Sequence, residues 1–195
     1  LGNRIVIGGN LNDGNGLNSG HTRVYEWDSA QATWNQLGID IDGEAAGDNS
    51  GFDVSINSTG DIIAIGAGGN AGNGSTSGHV RIFEWDTALM IWTQLGADID
   101  GEVAGERSGD DVALSNGGTV LAIGAPGKVN SENPNGRVKV YQYISGTWSQ
   151  LGSDIIGEAA GDISGYSISL SNDGTVLAIG APGNDDAGVI AGQVR

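Results

Sequence analysis

The chain has 195 residues, 36 of them glycine, with 24 acidic against 8 basic side chains and no cysteine. A formal charge of −16 repels nucleic acid and anionic membranes, so neither is an expected partner. The missing cysteines exclude disulfide staples and thiolate metal sites, and no apolar run approaches the roughly 20 residues that a membrane-spanning helix needs.

In chain order, the first apolar run covers residues 5–7 and is closed by Gly8. Next come Gly20-His21, the run Trp34-x-Gln-Leu-Gly, and an acidic stretch with Asp40, Asp42 and Glu44 on alternate residues. The same series then returns. Gly8, Gly66, Gly124 and Gly180 each end an apolar run, at separations of 58, 58 and 56 residues. Gly20-His21 recurs as Gly78-His79, Gly136-Arg137 and Gly192-Gln193, and Trp34 recurs as Trp92 and Trp148. Three markers in register define a tandem repeat.

The copy that begins at Ser108 predicts four strands, over residues 112–115, 119–123, 137–143 and 147–151. Asn116-Gly117-Gly118 turns the first into the second, and a Gly/Pro/Asn-rich loop reaches Gly136. The third is rich in β-branched and aromatic residues, and Ser145-Gly146 turns it into the fourth. An acidic loop over residues 154–162 leads onward. No segment sustains a 3.6-residue period, so almost no helix is expected.

The fold class that follows is all-β, with four-stranded antiparallel blades of a β-propeller. A linear stack of sheets is the other arrangement for units of this length. Strand two favours the propeller, because it is apolar at nearly every position (Leu-Ala-Ile-Gly-Ala at 121–125) and so suits burial on both faces. The blades divide as partial 1–50, full 51–107, full 108–163 and partial 164–195, about three and a half blades with fourteen strands. Propellers close with four to eight blades. The expectation is therefore a segment of a longer chain that opens in mid-pattern, or a unit that self-assembles through open blade edges.

Gly-Ala-Pro at 124–126 and 180–182, followed by Gly-x-Val-x-Val-Tyr at 136–141, resembles the FG-GAP repeat of integrin-type propellers. The resemblance covers essentially the whole chain and implies the propeller fold and an extracellular or cell-surface location. Two departures are visible. The Phe-Gly opening is here Ser-Gly, at Ser50-Gly51, Ser108-Gly109 and Ser164-Gly165. The calcium loop usual between the first two strands is replaced by the short turns Asn57-Ser-Thr-Gly60, Asn116-Gly-Gly118 and Asn172-Asp-Gly174. The fold carries over, and calcium at that position does not.

Antiparallel order places the loops between strands two and three on the same face as the inter-blade loops. That face gathers 15 of the 24 acids, including Asp13, Glu132, Asp185 and Asp186. Asp40, Asp42, Glu44, Asp98, Asp100 and Glu102 are the candidate metal ligands, since carboxylates on alternate residues are a feature of calcium loops. The opposing reading is an exposed strand end whose alternate residues face water, and Ile156 in place of a third Asp fits it. The Asn/Gly-rich loops at 10–20 and 68–78 are read as turns or as calcium or sugar contacts. His21 and His79 give way to Arg137 and Gln193 in later copies, which reads as a solvated strand start. The recurring tryptophans read as packing. No Ser or Cys nucleophile is paired with a histidine base, so no enzyme is expected. The functional expectation is a non-catalytic, extracellular structural or adhesive module. Its partner would be a protein or glycan on the acidic face, or other blades through open edges. The alternative is a calcium- or carbohydrate-binding module.

Overall fold

A computed structural model describes residues 2–127, 131 and 134–195. Glu132 and most of the loop around it lie outside the described residues. Among those described there are 17 strands and no helix. The first sheet holds β1 (Arg4–Gly9), β2 (His21–Asp28), β3 (Thr33–Gln36) and β4 (Ile41–Asp42). The second holds β5 (Val54–Ile56), β6 (Ile62–Ala67), β7 (His79–Asp86), β8 (Ile91–Gln94) and β9 (Ile99–Asp100). The third holds β10 (Asp111–Leu114), β11 (Val120–Ala125), β12 (Arg137–Ile144), β13 (Thr147–Gln150) and β14 (Ile155–Ile156). The fourth holds β15 (Ser167–Leu170), β16 (Leu177–Ala181) and β17 (Gln193–Val194).

Each sheet is an antiparallel meander whose neighbours in sequence are neighbours in space, as in β10-β11-β12-β13. The predicted strands of the third copy are present, with ends shifted by one or two residues. The sequence reading missed β4, β9 and β14. Each is a two-residue strand at the start of the acidic inter-blade loop, pairing with the free side of β2, β7 or β12. Pairs this short leave no alternation to detect.

Strand two of each blade explains how the blades stack. Side chains alternate faces along a strand, and in β6 the large Ile63 and Ile65 pack with Val24, Leu37 and Ile41 of the preceding blade. The small Ala64 between them faces the other way, into a core with Val112, Leu121, Ile123 and Trp148 of the following blade. The third junction repeats the pattern, Ala122 and Val138 meeting Ile168 and Ile179. The core is thus three inter-blade layers rather than one central body. Burying each of these isoleucines stabilises the stack by about 1.5–3 kcal/mol. Ala178, the next in the series, is exposed where the fourth sheet ends the stack.

The recurrent glycines mark where blades touch backbone to backbone. A Cβ on Gly66 would lie 2.0 Å from the carbonyl oxygen of Gly109, and one on Gly8 equally close to that of Gly51. The Gly of strand two and the Gly of the next Ser-Gly pair therefore form one contact. Serine itself makes a parallel bridge to the preceding blade, as Gly78 does to Ser108 and Gly136 to Ser164.

Candidate functional site at the blade junctions

Strand three of every blade opens with two polar residues on one face: His21 and Arg23, His79 and Arg81, Arg137 and Lys139, Gln193 and Arg195. The blade's own short fifth strand flanks this opening on one side, His79 being paired with Asp100, and strand two flanks it on the other, where Ala67 pairs with His79. The inter-blade loop of the preceding blade supplies carboxylates across it. Glu44 Oε1 lies 3.6 Å from Arg81 Nη1, Glu102 Oε1 lies 2.8 Å from Lys139 Nζ, and Glu158 Oε1 lies 3.5 Å from Arg195 Nη1. Arg81 Nη2 and Arg195 Nη2 also donate to the carbonyls of Asp42 and Ile156, at 2.6 and 3.1 Å. One base-to-loop clasp therefore recurs at three successive junctions.

Two of the three bases are well enclosed: Arg81 is 7% exposed and Lys139 3%. Ions this buried are held only where opposite charges and hydrogen bonds surround them. A second acid four residues further on, Asp48, Glu106 or Asp162, is buried and folds its loop. Asp48 and Asp162 accept from the backbone N–H of Ala45 and Ala159 at 2.9 and 2.8 Å, and Glu106 accepts from those of Glu102 and Val103. Loop asparagines act likewise. Asn15, Asn73 and Asn135 each donate through Nδ2 to the carbonyl of Gly43, Gly101 or Gly157 at 2.8–2.9 Å.

These positions revise two expectations. The histidines do not stand at a solvated strand start, since their side chains are 13% and 2% exposed. The fifth strand, invisible in the sequence, is what flanks them. The carboxylates on alternate residues are also divided: Asp40 and Asp42 come together with His21, whereas Glu44 lies with His79 and Asp98 of the next blade. Asp40 is drawn to Arg23, whose Nε and Nη2 donate to its two oxygens at 2.9 and 2.7 Å and hold its pKa down to about 2. Glu102 is drawn to Lys139 and Arg137. Among the described residues, the two groups with metal-capable atoms within 4.8 Å of one another each contain a histidine: His21, Asp40 and Asp42, and Glu44, His79 and Asp98. Asp100 lies 4.0 Å from His79 Nδ1.

Two of the three recurring tryptophans pack as expected, while Trp34 is 42% exposed. Trp92 and Trp148 lie against Trp85 and Tyr143 at centroid distances of 5.3 and 5.1 Å. Asn57, the first residue of the 57–60 turn, is structural, because its buried amide donates to Thr59 and Asp61 while its Oδ1 accepts from the N–H groups of Asp61 and Ile62.

A pocket of about 500 Å³ opens where the inner strands begin, lined by Phe52, Asp53, Arg107, Asp111, Ile163 and Tyr166 among others. Arg107 and Ile163 hold φ of 59° and 57° there, a conformation costly for a β-branched residue. Asp53 and Asp111 clamp neighbouring inner strands, accepting from Val112 N and Ile168 N, both at 2.8 Å. Burial pushes the Asp111 carboxyl up to about 7, and the adjacent Asp53 carboxyl acts in the same direction. The sequence reading passed over this pair and the strand-three bases. Both carry the repeat spacing, 58 residues from Asp53 to Asp111 and from Arg23 to Arg81 and on to Lys139.

Meandering four-stranded sheets stacked face to face, with inner strands side by side, are β-propeller blades. Solved structures agree. The chain is similar to a periplasmic gluconolactonase of Pseudomonas aeruginosa, at 17% identity and a TM-score of 0.52 over 92% of this chain and 47% of that one. It is also similar to KlAtg21 in complex with the coiled coil of AgAtg16, at 16% identity and a TM-score of 0.50 over 84% and 44% of the two chains. A third is a putative 6-phosphogluconolactonase of Bacteroides fragilis, at 12% identity and a TM-score of 0.50 over 75% and 35%. The chain spans less than half the length of each, and at these identities the likeness shows the fold alone. No protein-family model and no curated protein matches the chain.

Proposed function

We propose that the chain is a run of FG-GAP-type blades serving as a non-catalytic structural or adhesive module outside the cell or on its surface. One observation carries this reading: the conspicuous polar residues of the loop face are engaged in folding the loops and in joining one blade to the next. The inter-blade glutamates face the next blade's bases, the buried acids fold their own loops, and the loop asparagines close onto backbone carbonyls. Acids and amides so engaged are poorly placed to surround calcium, which takes six to eight oxygen ligands. The partner in this reading is a basic protein surface on the negative face, or further blades at the open edges.

A second reading, carbohydrate binding, draws on the pocket between the inner strands. Phe52 and Tyr166 are 46% and 63% exposed there beside two carboxyl groups, the mixture of ring faces and polar groups that sugars use. Titration calorimetry with calcium and a glycan panel, run beside hydrolysis assays on model esters, glycosides and phosphates, separates the readings. The structural module is expected to be silent in all of them. Glycan binding abolished by Tyr166→Ala would establish the second reading, and turnover of any substrate would sink both.

A further inference from the structure

The clasp between the second and third blades holds one more permanent cation than the clasp between the first and second. Glu102, Glu106 and Asp154 face two permanent cations, Arg137 and Lys139. One repeat earlier, His79 stands where Arg137 does, so Glu44, Asp98 and Asp100 surround a site with one permanent cation, Arg81.

The imidazole itself is in an unusual state. His79 is 2% exposed, its Nε2 is buried with no hydrogen-bond partner, and its Nδ1 faces Glu44 Oε2 and Asp100 Oδ1 at 3.9 and 4.0 Å, beyond hydrogen-bond reach. Nδ1 is thus the ring nitrogen that faces the carboxylates. Burial, aided by the Arg81 guanidinium, lowers the His79 pKa. The neutral imidazole is the form that ligates metals.

Glu44, His79 and Asp98 each bring a ligand atom within 4.8 Å of the other two. Metal–ligand bonds of about 2.0–2.2 Å put ligand atoms roughly 3.3 Å apart, a gap that small side-chain rotations close. The two oxygens of Glu44 are divided between neighbours, Oε1 toward Arg81 and Oε2 toward His79. Gln94 steadies Asp98 through a 2.6 Å hydrogen bond to Oδ1.

We propose that Glu44, His79 and Asp98 bind a divalent transition-metal cation of the zinc class, which joins the first blade to the second. The ion supplies the positive charge that Arg137 provides at the next junction. One imidazole with two carboxylates is a ligand set for zinc rather than calcium and leaves a fourth position for water. The other group, His21, Asp40 and Asp42, is not chosen because Arg23 already holds both oxygens of Asp40.

Zinc chloride titrated into the protein by calorimetry, with calcium chloride as comparator and thermal melts in parallel, tests this. His79→Arg reproduces the residue found at the third blade and so is expected to fold. One zinc ion per chain should bind and raise the melting temperature. His79→Arg and Asp98→Asn should weaken binding at least tenfold, and His79→Arg should melt at or above the zinc-free protein. His21→Gln should bind zinc like the parent. Failure of the parent to bind zinc, undiminished binding by His79→Arg, or loss confined to His21→Gln would each overturn the proposal.

Discussion

The indole Nε1 of Trp148 donates to the carbonyl oxygen of Leu95 at 2.9 Å, tying the fourth strand of one blade to the loop of the blade before it. Trp92 makes the same bond to Leu37, also at 2.9 Å, so the tryptophans of the second and third blades are rivets for the preceding blade. Trp148→Phe keeps most of the packing and loses the bond, which should cost about 1 kcal/mol. Trp148→Ala also opens a cavity and should cost about 3–5 kcal/mol. Urea unfolding of the two variants beside the parent gives both numbers, and a Trp148→Phe variant as stable as the parent would show that the hydrogen bond contributes nothing.

Glu106 is fully buried and lies 3.5 Å from Lys139 Nζ and 3.7 Å from Arg137 Nε. Glu106→Gln leaves two enclosed bases short of a counter-charge and should destabilise by about 3–5 kcal/mol. Adding Lys139→Met should recover a large part of that loss. A double-mutant cycle reads the coupling directly, and strict additivity would mean that the two side chains do not interact.

Gly66 and Gly180 occupy the same place in their repeats and differ in what faces them. A Cβ on Gly66 meets the Gly109 carbonyl at 2.0 Å, whereas one on Gly180 meets nothing nearer than 3.4 Å. Gly66→Ala should therefore cost about 3 kcal/mol or more by forcing two backbones apart, and Gly180→Ala should stay within about 1 kcal/mol of the parent. Thermal melts of the two variants make the comparison.

Asp111 sits between blades with its carboxyl raised to about 7 by burial, with Asp53 beside it. A carboxyl whose folded pKa is raised binds its proton more tightly in the folded state. Its contribution is complete below the unfolded value near 4 and is lost as pH rises through 7. Asp111→Asn keeps an oxygen for the Ile168 N–H and removes the titration. The parent should thus lose about 1–2 kcal/mol relative to this variant between pH 5 and pH 8, a figure reduced for the half-exposed position of the carboxyl. Parallel pH profiles of stability for the two proteins would contradict the assignment.

Much of the propeller was legible in the sequence because its signals are local and repeated. Turn glycines, alternating apolar runs and the Trp-x-Gln-Leu-Gly marker returned every 56–58 residues, and each needs only a few adjacent residues to be seen. Strand two announced its burial on both faces because every residue from Leu121 to Ala125 is apolar or small. The site was less legible. Asp40, Asp42, Glu44, Asp98, Asp100 and Glu102 stood out as acids on alternate residues, yet their partners come from strand three, in some cases of a different blade.

By itself, the sequence determined the repeat, the strand order within a blade and the sign of the loop face, since periodicity, turn chemistry and charge are properties of neighbouring residues. Only the tertiary structure decided which carboxylate meets which base. Glu44 reaches Arg81 across 37 positions, and Asp40 turns to Arg23 within its own blade. The tertiary structure also decided that His79 is buried while facing acids, because the strand that flanks it is two residues long and forms only by pairing along strand three. Such contacts depend on how blades stack, and stacking brings together side chains whose separation along the chain carries no pattern of its own.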